Sequence, residues 1–154
     1  MADILLNVPR YGQANSKCCW LACYQMLYAW KGRATSEVAT KIAAAGISTN
    51  DALYDDQWPS SAYALGLSGM RVAHLKSVET VAWCLSKCGP IWCAGAFFSD
   101  GSPHAIVISG LYGDGKLRIN DPYEIYKYDS YSYMTHGQWC QKVREAPFAC
   151  QLWW

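Results

Sequence analysis

Apolar positions in the first half of the chain recur at helical spacing. Trp20, Cys23, Leu27 and Trp30 fall three and four residues apart, with Met26 beside them, which predicts a buried helix over 19–30 stopped by Gly32. Ser36 is a good N-cap residue, and Val38, Ile42 and Ala45 carry a second helix to Gly46. A short third helix starts at Pro59 and ends near Gly66. Ser77 caps a fourth, with Val78, Val81, Ala82 and Leu85 on one face and Gly89-Pro90 at its end. After Pro90 the period changes. Segments 91–98, 104–111, 116–121 and 125–133 read as strands, joined by turns at Gly101, Gly113-Asp114-Gly115 and Asp121-Pro122, and 148–154 reads as a last strand. Helices first and antiparallel strands later predict an α+β fold. One domain over 1–154 is expected, with a helical half at about 1–88 and a β half at 89–154.

Composition narrows the class. Of 154 residues, 52% are hydrophobic and 16% charged, too apolar for a disordered chain. Thirteen basic against twelve acidic residues give a net charge of +1, which provides no electrostatic footprint for nucleic acid or an anionic membrane. No apolar run approaches the roughly 18 residues of a membrane span. The segment Met1-Ala2-Asp3-Ile4-Leu5-Leu6-Asn7-Val8-Pro9 has neither the basic start nor the apolar length of a secretory signal.

Eight cysteines invite two readings besides chemistry. A disulfide framework belongs to small secreted chains, and a chain of this size can bury a core without staples. Paired zinc ligands usually leave two residues between them, whereas Cys19 to Cys23 and Cys84 to Cys88 leave three. Most of the eight are therefore expected to be small buried hydrophobes.

Cys19 differs because it opens the first helix. There the backbone N–H groups and the helix dipole favour a thiolate. Gln13, six residues upstream in a loop with Gly12, Asn15 and Ser16, can fold back so that its side-chain amide and the Cys19 N–H form an oxyanion hole. Three histidines compete as the base. His74 has no turn or glycine beside it to open a site, and His136 reads as a surface loop residue. His104 begins an apolar strand after the Gly101-Ser102-Pro103 turn, a rigid place from which to aim an imidazole, although a satisfied edge histidine would look the same. In 116–121, Leu117, Ile119 and Asp121 share the inward face, and Arg118 and Asn120 the outward one. A carboxylate on an apolar face needs a partner, such as an imidazole on the adjacent strand; a turn-initiating Asp-Pro is the plain alternative.

Gln13, then Cys19-Trp20 opening a helix, then His104 leading a strand, then Asn120-Asp121-Pro122 resemble the papain-like cysteine proteases, in order and in the step from Gln13 to Cys19. Gly89-Pro90-Ile91-Trp92, the strand from His104 to Gly110, and Ile119-Asn120-Asp121-Pro122 resemble the small bacterial branch. That branch includes the leader peptidases that cut after a double glycine and the effector proteases of plant pathogens. The resemblance covers roughly residues 8–123. Plant and animal members usually orient the histidine with asparagine, the bacterial branch with the aspartate of Asp-Pro; leader peptidases typically carry glycine where Trp20 stands.

The resemblance implies a papain-like fold and a thiol endopeptidase acting on a protein or peptide. Cys19 would be the nucleophile, His104 the base, Asp121 its orienting acid and Gln13 an oxyanion donor, with no metal or cofactor. It further implies a bacterial effector or antibacterial toxin, made in the cytoplasm without a Sec signal, delivered by a specialised secretion system and countered by an immunity protein. If Cys19 stays a free thiol, the other seven cysteines cannot all pair within the chain, which favours a reducing compartment. A glutamine-directed acyltransferase or deamidase, a leader-processing peptidase, a peptidoglycan peptidase and a binding module on an inactive scaffold remain as alternatives.

Overall fold

The computed structural model describes residues 1–123 and 131–154. Four helices fall where the apolar periodicity puts them: α1 Cys19–Trp30, α2 Ser36–Ala44, α3 Trp58–Leu65 and α4 Val78–Lys87. Ser77 caps α4 as expected, its hydroxyl accepting from the Thr80 N–H at 3.1 Å. Ser36 does not cap α2. It is the first helical residue, and Thr35 occupies the N-cap position without a side-chain bond. Gly89 closes α4 with φ +97°, and a Cβ there would lie 2.4 Å from the Trp30 ring. Only glycine allows both that backbone and that contact.

Among the described residues, a seven-stranded antiparallel sheet forms the other layer. Its strands are β1 Ile4–Leu5, β2 Ser68–Met70, β3 Ile91–Gly95, β4 His104–Leu111, β5 Lys116–Asn120, β6 Ser132–Thr135 and β7 Cys150–Leu152, in the order β2-β7-β3-β4-β5-β6 with β1 also on β4. The segment expected over 91–98 ends as a strand at Gly95. Of the strand expected over 125–133, residues 125–130 lie outside the described residues. The division near residue 88 is crossed in both directions. β1 and β2 come from the helical half, and the β half contains a helix, α5 His136–Lys142. His136 is therefore no loop residue: it starts α5, and its Nε2–H donates to the Leu75 carbonyl at 2.8 Å.

α1 lies against the sheet with Cys23, Tyr24, Met26, Leu27 and Tyr28 fully buried. Tyr24 stacks on Trp92 of β3 at 5.0 Å and 6° between planes. Its hydroxyl bonds Ser61 of α3 and Gln151 of β7, both at 2.8 Å. The Trp92 indole N–H reaches the Trp20 carbonyl at 3.2 Å. A stacked aromatic pair adds about 0.5–1.5 kcal/mol beyond its buried area. Buried hydroxyls and amides that find partners also hold one register, because any slip would leave them unsatisfied. The N-terminus of α1 is thereby pinned over β3 and β4.

The expected two-faced character of 116–121 needs correction. Leu117 and Ile119 are buried, and Arg118 and Asn120 on the opposite face are buried too. The N-terminal segment covers that face. Arg118 donates to the Leu6 carbonyl, and Asn120 Nδ2 donates to Val8 O at 3.1 Å. Parity alone could not register a cover supplied by chain more than a hundred residues away. Among the described residues, no helix is long and apolar enough to cross a membrane.

Candidate active site

Cys19 is the first residue of α1, partly exposed, behind an N-cap residue (Cys18) that makes no side-chain capping bond. The first-turn N–H groups are thus free to face an anion at the Cys19 sulfur. Cys18 is buried and points elsewhere, its thiol donating to the Thr49 carbonyl at 3.3 Å. Burial pushes the Cys18 thiol up.

His104 begins β4 opposite Gly95. Ile108 pairs with Ile119, so two residues further along both strands Ile106 and Asp121 share a face, and His104 is the diagonal neighbour of Asp121. The side chains close that diagonal: His104 Nε2 and Asp121 Oδ1 are 2.7 Å apart. The same carboxylate oxygen accepts the Tyr123 N–H at 3.0 Å. A carboxylate can only accept, so Nε2 carries the hydrogen. Nδ1 is buried with no bond in the static hydrogen-bond pattern. The Cys19 sulfur acts on the His104 ring electrostatically. Burial opposes the charged imidazole, but the Asp121 bond, the Cys19 sulfur and their charges outweigh it and push His104 up to about 9. An imidazolium is thus favoured at neutral pH.

Phe98, from the β3–β4 connection, stacks on the His104 ring with centroids 4.0 Å apart, and Tyr123 meets Phe98 edge-on at 5.4 Å. Sequence reasoning missed both. The only available signal was an aromatic just before the 99–103 turn, which folds Phe98 back through the Gly101 N–H to Phe98 O bond of 2.9 Å.

Gln13 is buried in the loop leading to Cys19, and its backbone N–H bonds Pro122 O at 3.3 Å, tying the loop to the Asp121 corner. Its Nε2 donates one hydrogen to Asn15 O at 2.8 Å. The amide has a second. Cys19, His104 and Asp121 are thus brought together, and Gln13 is held in the adjoining loop with its amide engaged to Asn15. His74 is exposed on a 3-10 turn over Val72–Lys76.

Cys19 and His104 open into a cleft of about 450 Å³. Its lining includes Trp20, Leu53, Trp58 and Trp92 and the small-residue run Ala94, Gly95, Ala96. Six of the eight cysteines are buried, as their reading as small hydrophobes requires. Among the described residues, no three His, Cys, Asp or Glu side chains converge as a metal site. Cys140 Sγ lies 3.6 Å from His136 Nε2, but that nitrogen already donates to Leu75 O.

Solved structures of peptidase domains are similar in fold. The peptidase domain of Streptococcus ComA, a bifunctional ABC transporter involved in quorum sensing, superposes with a TM-score of 0.62 at 13% identity, covering 96% of this chain and 98% of that one. A double glycine motif protease from an AMS/PCAT transporter, in complex with its leader peptide, gives 0.57 at 16% identity, covering 96% and 94%. No curated protein matches the sequence. The family model described as "Papain-like cysteine protease AvrRpt2" matches residues 2–140, which include α1 and the His104–Asp121 corner. The chain belongs to that family and is a cysteine protease.

Proposed function

We propose that this protein is an endopeptidase in which Cys19, His104 and Asp121 act as a triad. The observation that carries the reading is the division of labour on His104: Nε2 is committed to Asp121, and Nδ1 is left for the Cys19 sulfur. The Cys19 thiol passes its proton to Nδ1, and the thiolate attacks the scissile carbonyl carbon. The Cys19 N–H and the second hydrogen of Gln13 Nε2 stabilise the oxyanion. The C–N bond then breaks as Nδ1–H protonates the leaving amine, giving a thioester. Water, deprotonated by Nδ1, hydrolyses that thioester and restores the thiol. Asp121 holds the tautomer and supports the imidazolium throughout, while Phe98 and Tyr123 keep water from the His104–Asp121 bond.

The substrate is a protein or peptide laid along the cleft. A peptide ligand in the structurally similar double-glycine protease supports a peptide as the occupant. We propose further that the protein is a bacterial effector or toxin, delivered by a specialised secretion system and held in check by an immunity protein. Family membership alone motivates that role. Comparing protein termini in a bacterial lysate treated with wild type or Cys19→Ala tests the activity. New termini dependent on Cys19 are expected; ammonia release without new termini would indicate a glutamine deamidase instead. Growth arrest on cytosolic expression of wild type but not Cys19→Ala is expected for a toxin. Harmless expression of demonstrably active enzyme would mark a processing peptidase.

A further inference from the structure

The charges around the cleft are one-sided. The chain as a whole is nearly balanced, with thirteen basic and twelve acidic residues. The cleft lining holds Lys17, Lys142 and Arg144 and no Asp or Glu. Arg144 is held by Asp55 at 2.7 Å, an exposed pair. Among the described residues, Lys17 and Lys142 form no ion pair.

Lys142 does not sit on a loose loop. Its carbonyl accepts the Ala96 N–H at 2.8 Å, and the Arg144 N–H donates to Ala94 O at 3.0 Å. Val143 bridges Gly95 between these bonds. Residues 142–144 therefore leave the end of α5 as a short strap along β3. The strap can approach this closely because residue 95 has no side chain: a Cβ there would lie 2.3 Å from Lys142 O. Val143 is buried, whereas Lys142, at the C-terminal end of α5, and Arg144 line the cleft.

The register also sets the distance from the chemistry. Gly95 faces His104 on one side and Val143 on the other. Two strand spacings, about 10 Å, separate the strap from His104, and an extended substrate advances about 3.3 Å per residue. We propose that Lys142, assisted by Lys17 and Arg144, forms a cationic subsite that selects substrates bearing an Asp or Glu side chain within about three residues of the scissile bond. Apolar walls lower the local dielectric and focus the field of these cations on whatever occupies the cleft. The proposal rests on the peptidase reading of the same cleft.

The test uses a library of proteome-derived peptides digested by wild type and by Lys142→Glu, with the new termini sequenced. Wild type should cut acidic-bearing sites about two- to fivefold more often than sites with Asn or Gln at the same position, the size expected of a partly screened ion pair. The preference should shrink with added salt. Lys142→Glu should invert it in favour of Lys and Arg at that one position. Lys142→Gln should abolish it; with an unchanged Tm, the loss reads as specificity rather than as folding, because the strap is held through backbone groups. Cys19-dependent cleavage with no acidic enrichment, or with an enrichment that Lys142→Glu leaves unchanged, overturns this proposal and spares the peptidase. A wild type that cleaves nothing and takes up no thiol-reactive probe at Cys19 overturns both.

Discussion

Removing the Asp121 carboxylate should collapse the imidazolium while leaving the neighbouring Asn120→Ala enzyme largely active. His104 stands at about 9 against an ordinary 6.5. At 1.36 kcal/mol per pKa unit, that difference corresponds to about 3 kcal/mol in favour of the charged ring, shared between Asp121 and Cys19. Both side chains of the pair are well shielded, His104 at 0% and Asp121 at 14% exposed, so solvent screens little of it. Loss of the charge alone predicts a fall in kcat/KM of about 10²-fold, and loss of tautomer control extends it toward about 10⁴. The assay is the rate of Cys19 alkylation and of peptide hydrolysis across pH. In wild type the basic limb set by the imidazolium should lie near 9, and in Asp121→Ala it should move down toward 6.5. Stability follows with a defined sign. A folded-state value above that of the free imidazole stabilises the fold fully below about 6.5, and the contribution disappears as pH rises through about 9. The Tm deficit of Asp121→Ala should therefore be larger at pH of about 6 than above about 9. Asn120→Ala loses the bond from Nδ2 to Val8 O, which should appear as about 1 kcal/mol of stability rather than as activity. An inactive Asn120→Ala beside an active Asp121→Ala, or a basic limb unmoved by Asp121→Ala, would refute this assignment.

Three further outcomes are expected. Cys19→Ala should abolish hydrolysis and labelling by a thiol probe, whereas Cys18→Ala should keep most of both, because the Cys18 thiol is buried and bonded to Thr49 O; equal losses in the two variants would undo the choice of nucleophile. Gln13→Ala should lower kcat by about 10²-fold with little change in KM, as for loss of one oxyanion donor, and a purely KM effect in steady-state kinetics would move Gln13 to substrate binding. Gly95→Ala should lower stability by about 1–3 kcal/mol in chemical denaturation, since its Cβ must push against the Lys142 carbonyl, and an unchanged midpoint would mean that the strap moves freely.

Much of this molecule is legible in its residue order because the determining forces are local. The three- and four-residue recurrence from Trp20 to Trp30 is enough for α1, and the place of Cys19 before it is enough for a sulfur at a helix N-terminus. Parity along 116–121 separates Asp121 from Asn120, because successive strand residues must face opposite ways and the 2.7 Å contact with His104 can form on one side only. What residue order could not decide depends on chain brought from far away. Short strands such as β1 and β2 have little periodicity of their own and exist because β4 and β7 offer them partners. Arg118 and Asn120 are buried because Leu6 and Val8 cross over them. Phe98 shields His104 through a turn whose course no spacing rule specifies. The Lys142 strap reaches the cleft through hydrogen bonds to Ala94 and Ala96, nearly fifty residues away in sequence. Backbone conformation and face are written in neighbouring residues, whereas cover, shielding and the charge of a cleft arise only when distant segments meet.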